Sequence, residues 1–292
     1  MRTYDAMNPA AVAVQLLLTA CITVFCMEPL LLGVSLCCAV GCFLMRSGAG
    51  HKGFHLFALG IPLLFALLNP LWNQHGTSVL FFINDRAITK EALFFGFVTG
   101  LRLAAVLYWF RIFSDLMTSE KLFYLLRFLS PKLALVFSMA VRNLTLFRQQ
   151  MRKIQAAQKG LGLYREKHLI DDVRGGIRVF SVLITWALEN GIVTAASMTA
   201  RGYGTGRRTS CTNFRWKRQD AVLLLCTLLF AGVVIVCISR GSLDREFYPV
   251  SVPPEHGFCW YTAIAAYTLL ALLPVLHEGK ESLIWYRLRS GI

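Results

Sequence analysis

Six runs of mainly apolar residues constrain the fold of this chain more than any other feature of its sequence. Roughly 20 consecutive apolar residues cross the hydrocarbon core of a bilayer as a helix, and only 16% of all residues are charged, against about 25% in a typical soluble domain. The sequence therefore predicts an all-α integral membrane protein with about six transmembrane helices. The runs cover residues 10–27, 30–45, 54–72, 92–113, 221–239 and 258–276.

The first two runs are short, and only Glu28 and Pro29 separate them. Residues 1–45 are therefore expected to form either a tight hairpin or a broken pair of spans. We expect Glu28 to lie at the membrane interface. Arg102 lies inside the fourth run, where an ionisable side chain is costly and is usually paired or functional. We expect Arg102 to have a structural partner.

Almost all of the net positive charge lies in one interior segment. Residues 111–218 contain 19 Lys and Arg against 6 Asp and Glu, so this segment carries nearly the whole formal charge of +14. Cytoplasmic flanks of membrane proteins carry the Lys and Arg excess, so we expect the segment to face the cytoplasm. With six spans, both termini then lie on that side as well. Such a surface can bind anionic lipid or acidic partners, and we expect no nucleic acid.

The chain is expected to divide into three parts. Residues 1–113 contain the first four spans, residues 114–219 form an interior segment of amphipathic helices, and residues 220–292 contain the last two spans and a tail. The interior helices either pack into an ordinary cytoplasmic subdomain or form a platform whose faces contact other subunits.

The first long interior helix is predicted to begin at Ser130 and Pro131, residues typical of an N-cap and a first helical position. Apolar residues then recur every three or four positions, and no helix breaker appears before Gly160. This pattern predicts a helix of about 29 residues, roughly 44 Å long. Its apolar stripe is formed by Leu133, Phe137, Ala140, Leu144, Phe147, Met151, Ile154, Ala157 and Leu161.

The second long helix is predicted to start at Asp171 or Asp172 as cap and to end at Arg201 and Gly202, with the glycine in the left-handed conformation. Its apolar stripe is formed by Ile177, Phe180, Ile184, Ala187 or Leu188, Gly191, Ala195 and Met198.

The stretch "SMTARGYGTGRR", residues 197–208, follows this second helix. It lacks the GxxxxGK[ST] pattern of a phosphate-binding loop, and its position in the basic segment does not suit a potassium filter. We interpret it as a helix tip. Arg201 either neutralises the end of its own helix or docks on carboxylates or carbonyls of a partner, and the residues alone favour neither.

No Cys-x-x-Cys pair, no grouped histidines and no nucleophile beside a base occur in the sequence. The sequence therefore predicts no metal site, no cofactor and no catalytic site, so the chain is not expected to be an enzyme.

Several stretches resemble, in order, the transmembrane T component of energy-coupling-factor (ECF) transporters, the family that includes EcfT and CbiQ. "MTARGY" at 198–203 resembles the second Ala-Arg-Gly motif of that family, and "IQAAQKGLGL" at 154–163 falls where the first motif has the form Ala-Gln-x-Ala-Arg-Gly. The first motif here reads Gly160-Leu161-Gly162, so its arginine is missing. The upstream stretches are "NPLWNQHGTSVLFF" at 69–82, "ITKEALFFGFVTGLR" at 88–102 and "RFLSPKLALVFSMAVR" at 127–142.

The resemblance implies a non-catalytic subunit of a micronutrient importer (vitamin or metal ion) in the plasma membrane of a prokaryote. Its partners would be two ABC-type ATPase subunits and a membrane-embedded substrate-binding subunit, the S component. The ATPase-docking residues would be Ala200, Arg201 and Gly202 at one tip, and Lys159, Gly160, Leu161 and Gly162 at the other. At the first tip, either Leu161 packs on an apolar surface or Lys159 replaces the arginine. The coupling face would contain Phe137, Leu144, Phe147, Met151, Phe180, Ile184 and Leu188.

Two other functions are compatible with a multi-pass membrane protein. A self-sufficient secondary transporter would need interrupted, paired spans with charges near the midplane, and the sequence offers only Arg102 and no clear internal repeat. A membrane-bound enzyme acting on anionic lipid would need reactive residues that the sequence does not group together.

Overall fold

The computed structural model describes residues 4, 7–47, 52–73, 77–83, 86–162, 169–206, 214, 216–243, 245, 247 and 257–290. Helices form nearly all of the regular structure in these residues. They are α1 (Pro9–Phe25), α2 (Pro29–Ser47), α3 (Lys52–Trp72), α4 (Lys90–Leu116), α5 (Ser119–Leu129), α6 (Pro131–Gly160), α7 (Leu169–Ala200), α8 (Arg218–Ser239) and α9 (Phe258–Ser290). A short antiparallel hairpin of β1 (Val79–Ile83) and β2 (Arg86–Thr89) lies between α3 and α4, and the sequence analysis did not predict it.

Six helices among the described residues are long and apolar enough to cross a membrane. The predicted all-α membrane class is therefore confirmed, with six candidate spans as expected, but the set of candidates differs from the predicted runs in two helices. Helix α1 has 17 residues and is shorter than the other candidates, whereas Val173–Ala200 of α7 qualifies. Helix α7 qualifies because Glu189 is its only charged residue between Arg178 and Arg201. Its apolar residues therefore extend beyond the single stripe of an amphipathic surface helix.

The chain forms two compact units. The membrane unit comprises Met1–Leu122 and Phe214–Ile292, and the interior unit comprises Phe123–Asn213. The interior unit is thus shorter than the predicted segment 114–219. The start of α5 belongs to the membrane unit, where the buried Lys121 ammonium donates a hydrogen bond to the Leu116 carbonyl at 3.1 Å.

Helix α1 lies in the core of the membrane unit, where it packs against α4 and α8, while α2 packs against α4 and α9. Gln15, Thr19 and Thr23 of α1 are fully covered. At its entry, the Tyr4 hydroxyl donates to Gln15 Oε1, and burial raises the pKa of the Tyr4 phenol well above its usual value. Helices α1 and α2 are therefore two separate helices, joined by residues 26–28, that both pack in the core of the membrane unit.

A polar cluster joins four of these helices inside the apolar core. The Ser35 hydroxyl of α2 accepts hydrogen bonds from Trp109 Nε1 of α4 at 3.0 Å and from the Tyr267 hydroxyl of α9 at 2.7 Å. Thr23 Oγ1 of α1 lies 2.7 Å from the same Tyr267 hydroxyl. Since lipid offers no competing hydrogen bonds, such a cluster fixes the register of the helices against one another.

Helices α3 and α4 approach so closely that no side chain fits between them at two positions. A Cβ atom on Gly96 would lie 2.5 Å from the Phe65 carbonyl oxygen, and one on Gly100 would lie 2.5 Å from Pro62 Cα. Small residues allow this kind of backbone approach in membrane helices. This pairing holds α3 in the membrane unit, because α3 packs mainly against α4.

Three contacts place the start of α1, the start of α8, the end of α2 and the end of the apolar part of α9 (Phe258–Gly279) at one end of the membrane unit. The Asn8 amide donates to Asp220 Oδ1 at 3.1 Å, and the Tyr4 and His277 rings are 5.9 Å apart. Next to His277, Glu278 pairs with Arg46 at 2.8 Å.

The end of α4 lies at this same end. The His55 ring of α3 stacks near Phe43 of α2, with ring centres 5.4 Å apart, and lies 2.8 Å from the Tyr108 hydroxyl of α4. The two connections to the interior unit, after α4 and before α8, therefore leave from one end of the membrane unit.

The opposite end of α1 meets a covered carboxylate. Glu28 is 2% exposed and lies 3.8 Å from the guanidinium of Arg245, which itself stacks 5.3 Å from the ring centre of Phe94. Glu28, in the turn between α1 and α2, is therefore covered by Arg245 and neighbouring aromatic rings, and its expected position at the membrane interface stays a prediction.

The interior unit is built around α6 and α7. Helix α6 begins at Pro131 and ends at Gly160, as predicted, but the Ser130 side chain makes no capping hydrogen bond. Helix α7 begins at Leu169, so Asp171 and Asp172 lie inside the helix and neither is the cap residue. The sequence analysis placed this start too late because the polar run before it hid the first turn.

Candidate functional site

The C-terminal end of α7 is a rigid tip with Arg201 at its cap. The Gly202 amide donates to the Thr199 carbonyl at 3.0 Å and the Tyr203 amide to the Met198 carbonyl at 2.9 Å. These two bonds, with Gly202 at φ +80°, form a Schellman motif, the hydrogen-bonded cap that ends many helices. The prediction that Gly202 is the left-handed residue is confirmed.

The turn after this cap is also held by local bonds. The Thr205 hydroxyl donates to the Gly202 carbonyl at 2.7 Å, and Gly204 adopts φ +93°. All residues from Ala200 to Gly206, including Arg201, are exposed. Residues 207 and 208 of the quoted stretch lie outside the described residues.

The C-terminal end of α6 has the same backbone geometry. Leu161 caps the helix, its amide donates to the Ala157 carbonyl at 3.0 Å, and the Gly162 amide donates to the Lys159 carbonyl at 3.1 Å. Gly162 is left-handed at φ +67°. Because the cap residue precedes the left-handed glycine at both tips, Leu161 and Arg201 occupy equivalent positions.

The two tips differ in chemistry. Leu161 is 75% exposed. Lys159 and Gly160 are also exposed, two residues and one residue before it. The first tip thus presents an apolar side chain at the place where the second tip presents a guanidinium.

Most residues of the predicted coupling face are uncovered within their unit. Phe180 and Leu188 of α7 are 63% and 65% exposed, and Phe137 of α6 is 51% exposed. The exposed members are Phe137, Leu144, Met151, Phe180, Ile184 and Leu188. Phe147 differs from them, because its ring meets the edge of Trp186 with centres 5.7 Å apart.

The residues of α6 that are turned away from solvent are partly polar. Asn143, Phe147, Gln150, Ile154 and Gln158 recur every three or four positions and are covered more than their neighbours. Amide side chains are thus more covered than several leucines and phenylalanines of the same helix. The sequence analysis missed this inversion, because periodicity shows which residues share a face and not which face is covered.

Arg102 has a backbone partner. Its Nη1 donates to the Val24 carbonyl in the last turn of α1 at 3.3 Å. The last carbonyls of a helix lack partners within it and carry partial negative charge, so they attract a cation. This bond to the end of α1 provides Arg102 with the structural partner that was expected.

The described residues contain no group of three or more His, Cys, Asp and Glu that could hold a metal ion. Four of the six histidines (His51, His75, His168 and His256) lie outside the described residues. The arrangement of exposed tips and exposed apolar faces is suited to contact with other proteins.

Two comparisons identify similar proteins. The family described as CbiQ, cobalt transport protein, matches residues 4–211, a range that includes both helix tips. An energy-coupling factor transporter transmembrane protein, EcfT, of Bacillus selenitireducens is 26% identical over 223 residues, which cover 71% of this chain and 82% of that protein.

Proposed function

Because the chain belongs to the CbiQ family of cobalt transport proteins, we propose that it is the coupling subunit of an ECF-type importer in the plasma membrane of a prokaryote. It would bind two ABC-type ATPase subunits and a membrane-embedded S component, and it would pass the motion of the ATPases to the S component. The name of its relative, an energy-coupling factor transporter transmembrane protein, supports this assignment.

Docking on the ATPases is assigned to the two tips, and the equivalence of Leu161 and Arg201 is the observation that carries this proposal. Each tip projects a side chain beyond a helix end that backbone hydrogen bonds hold in place. Arg201 can donate to carboxylates or carbonyls of one ATPase through its planar fork. Leu161 can pack on an apolar part of the other, with Lys159 and Gly160 beside it.

The positions of the two connections to the interior unit support a cytoplasmic location for that unit. The connections after α4 and before α8 leave from one end of the membrane unit, so the interior segment crosses the bilayer an even number of times. A crossing by α7 would require a second one by α6, which carries Arg142, Arg148 and Arg152. We therefore place both helices on the cytoplasmic side, which the positive charge favours.

The exposed coupling face is assigned to the S component. Six apolar side chains without cover in their own unit form a surface that another apolar protein surface would bury. Helices of 30 and 32 residues extend roughly 45 Å and 48 Å. A stiff element of that length can pass a rigid-body shift from an ATPase tip to a distant partner.

The transported substrate would be selected by the S component. The family description names cobalt, and the proposal covers micronutrients in general, vitamins or metal ions. The chain itself would bind no cofactor and catalyse no reaction, because ATP would be hydrolysed by its partners.

Co-purification tests this function. The tagged chain is co-expressed with candidate ABC-type ATPases, and bound ATPase is measured in detergent for wild type, Arg201→Glu and the matched control Arg152→Glu, an exposed arginine in the second half of α6. We expect Arg201→Glu to weaken ATPase binding at least tenfold, about 1.4 kcal/mol, and the control to bind as wild type does. Equal binding by Arg201→Glu, or no ATPase bound to wild type, would contradict the proposal.

A further inference from the structure

An apolar groove opens on the lipid-facing side of the membrane unit. It lies between α2, α3 and α4 and has a volume of about 420 Å³. Its walls are formed by Leu36 and Val40 of α2, Ala58 and Leu63 of α3, and Phe97 and Leu101 of α4. Leu63 is 66% exposed at its rim, so the groove is open to the acyl chains of the surrounding bilayer.

One end of the groove is polar. His55 Nδ1 and the Tyr108 hydroxyl lie 2.8 Å apart and both line the groove. Phe43 and Phe54 pack beside them at a tilt, with ring centres 5.5 Å apart, and Phe43 is fully buried. His55 Nε2 is buried without a hydrogen-bond partner among the described residues, so this end has unused capacity to bind a polar group.

Two basic side chains lie one helical turn beyond the polar end. Lys52 precedes His55 by three residues on α3, and Arg111 follows Tyr108 by three residues on α4. Both are exposed. The Arg111 guanidinium lies 3.6 Å from Asp115 and 5.9 Å from the ring centre of Phe54. Two cations against one carboxylate leave a net positive site at the mouth of the groove.

Along the helix axes, the groove is about as long as one leaflet of a bilayer is thick. His55 and Leu63 are eight residues apart on α3, or about 12 Å, and Phe97 and Tyr108 are eleven residues apart on α4, or about 17 Å. Half of the hydrocarbon core is about 15 Å. The polar end and the basic residues therefore fall at the depth of the ester and phosphate groups of that leaflet.

We propose that this groove binds one anionic glycerophospholipid, with an acyl chain between α2 and α3 and its phosphate at Lys52 and Arg111. A whole helix of a partner, about 10–12 Å wide with its side chains, would lie over the groove and leave the space between the helices empty. An acyl chain fills that space. The lipid would brace α3, which otherwise packs mainly against α4.

The test is a lipid titration of the purified full-length chain in mild detergent, followed by native mass spectrometry with phosphatidylglycerol and phosphatidylcholine. Leu59→Trp, which narrows the groove at its rim, is compared with Leu56→Trp on the same helix outside the lining. The two leucines are equally exposed, at 74%, so neither change disturbs the protein core. We expect Leu59→Trp to weaken binding of phosphatidylglycerol at least tenfold and Leu56→Trp to leave it unchanged.

The charged part is tested with Lys52→Gln and Arg111→Gln, using Lys90→Gln at the opposite end of α4 as control. Each of the first two changes should weaken phosphatidylglycerol binding about fivefold, the equivalent of ~1 kcal/mol per basic residue near a membrane surface. Neither should alter phosphatidylcholine binding. Equal binding of the two lipids by wild type, or equal effects of the two tryptophan variants, would overturn the proposal. Coverage of the groove residues only when another membrane subunit is bound would also overturn the proposal, because the occupant would then be a protein.

Discussion

Leu161 and Arg201 hold equivalent places at the ends of two helices, since each caps its helix directly before a left-handed glycine. The amide of that glycine donates to the carbonyl three residues earlier at both ends, at 3.1 Å after α6 and 3.0 Å after α7. The two helix ends therefore share this backbone geometry and differ in the side chain at the cap. The alignment of Gly160-Leu161-Gly162 with Ala-Arg-Gly agrees with this geometry.

The rigidity of the second tip should depend on Gly202. An alanine there would adopt φ +80° and place its Cβ 3.3 Å from Thr205 Oγ1, and the left-handed conformation costs a non-glycine residue about 1–2 kcal/mol. We expect Gly202→Ala to speed amide hydrogen exchange of Tyr203 by about 5- to 30-fold. Gly206→Ala, where a Cβ meets nothing within 4 Å, should leave that exchange unchanged, and an equal effect of both changes would contradict the capping role.

At the first tip we expect Leu161 to contribute more to ATPase binding than Lys159. Leu161 occupies the cap position of Arg201, whereas Lys159 lies two residues earlier in the last helical turn. Leu161→Asp should therefore weaken ATPase binding more than Lys159→Gln does, by at least tenfold for the aspartate because it places a charge against an apolar surface. Titration of labelled ATPase onto the purified chain measures the order, and the reverse order would mean that Lys159 replaces the missing arginine.

The sequence predicted the long helices of this fold well, but not which of their faces are covered by other residues. The bounds of α6 and the left-handed Gly202 followed from local rules, because caps and helix breakers act within a few residues. The β-hairpin was missed, because its two short strands lie in the connection between two spans and pair with each other.

The covering of Glu28 by Arg245 could not be predicted, because the contact joins residues more than 200 positions apart. For the same reason, periodicity located the stripe with Phe137 and Leu144 without showing that it stays exposed. The groove beside α3 is lined by residues of three helices, and no local pattern records how these helices pack together. The site residues at the tips follow from the motif, and their roles stay a proposal.

The close pairing of α3 and α4 should not tolerate a side chain at Gly100. A Cβ there would lie 2.5 Å from Pro62 Cα, in the backbone of the neighbouring helix, and overpacking of this kind typically costs about 1–3 kcal/mol. We expect Gly100→Ala to lower the thermal unfolding temperature in detergent. Gly41→Ala, which meets nothing within 4 Å on α2, should not lower it, and equal stability of the two variants would contradict the contact.

Ser35 should stabilise the membrane unit more than Tyr267 does. Ser35→Ala removes the acceptor of Trp109 Nε1 and of the Tyr267 hydroxyl. The Tyr267 hydroxyl keeps Thr23 Oγ1 at 2.7 Å, whereas the buried Trp109 donor loses its partner, which costs about 1–3 kcal/mol. Tyr267→Phe keeps the Trp109 bond, and Thr23 still lies 3.3 Å from Ser35, so about 0.6–1.7 kcal/mol should be lost. Unfolding in detergent measures both values, and a larger loss for Tyr267→Phe would show that the cluster is not centred on Ser35.

The most direct test of the coupling role is ATP-driven uptake by the complete complex in liposomes. The chain, its ATPases and the S component are reconstituted together, and uptake of radioactive Co²⁺ and of labelled water-soluble vitamins is followed with ATP, with a non-hydrolysable analogue, and with a proton or sodium gradient alone. The account predicts uptake only with ATP hydrolysis and all subunits present, and at least a tenfold loss when Leu161→Asp and Arg201→Glu are combined. Uptake by the chain alone, driven by an ion gradient without ATP, would contradict it and identify a secondary transporter.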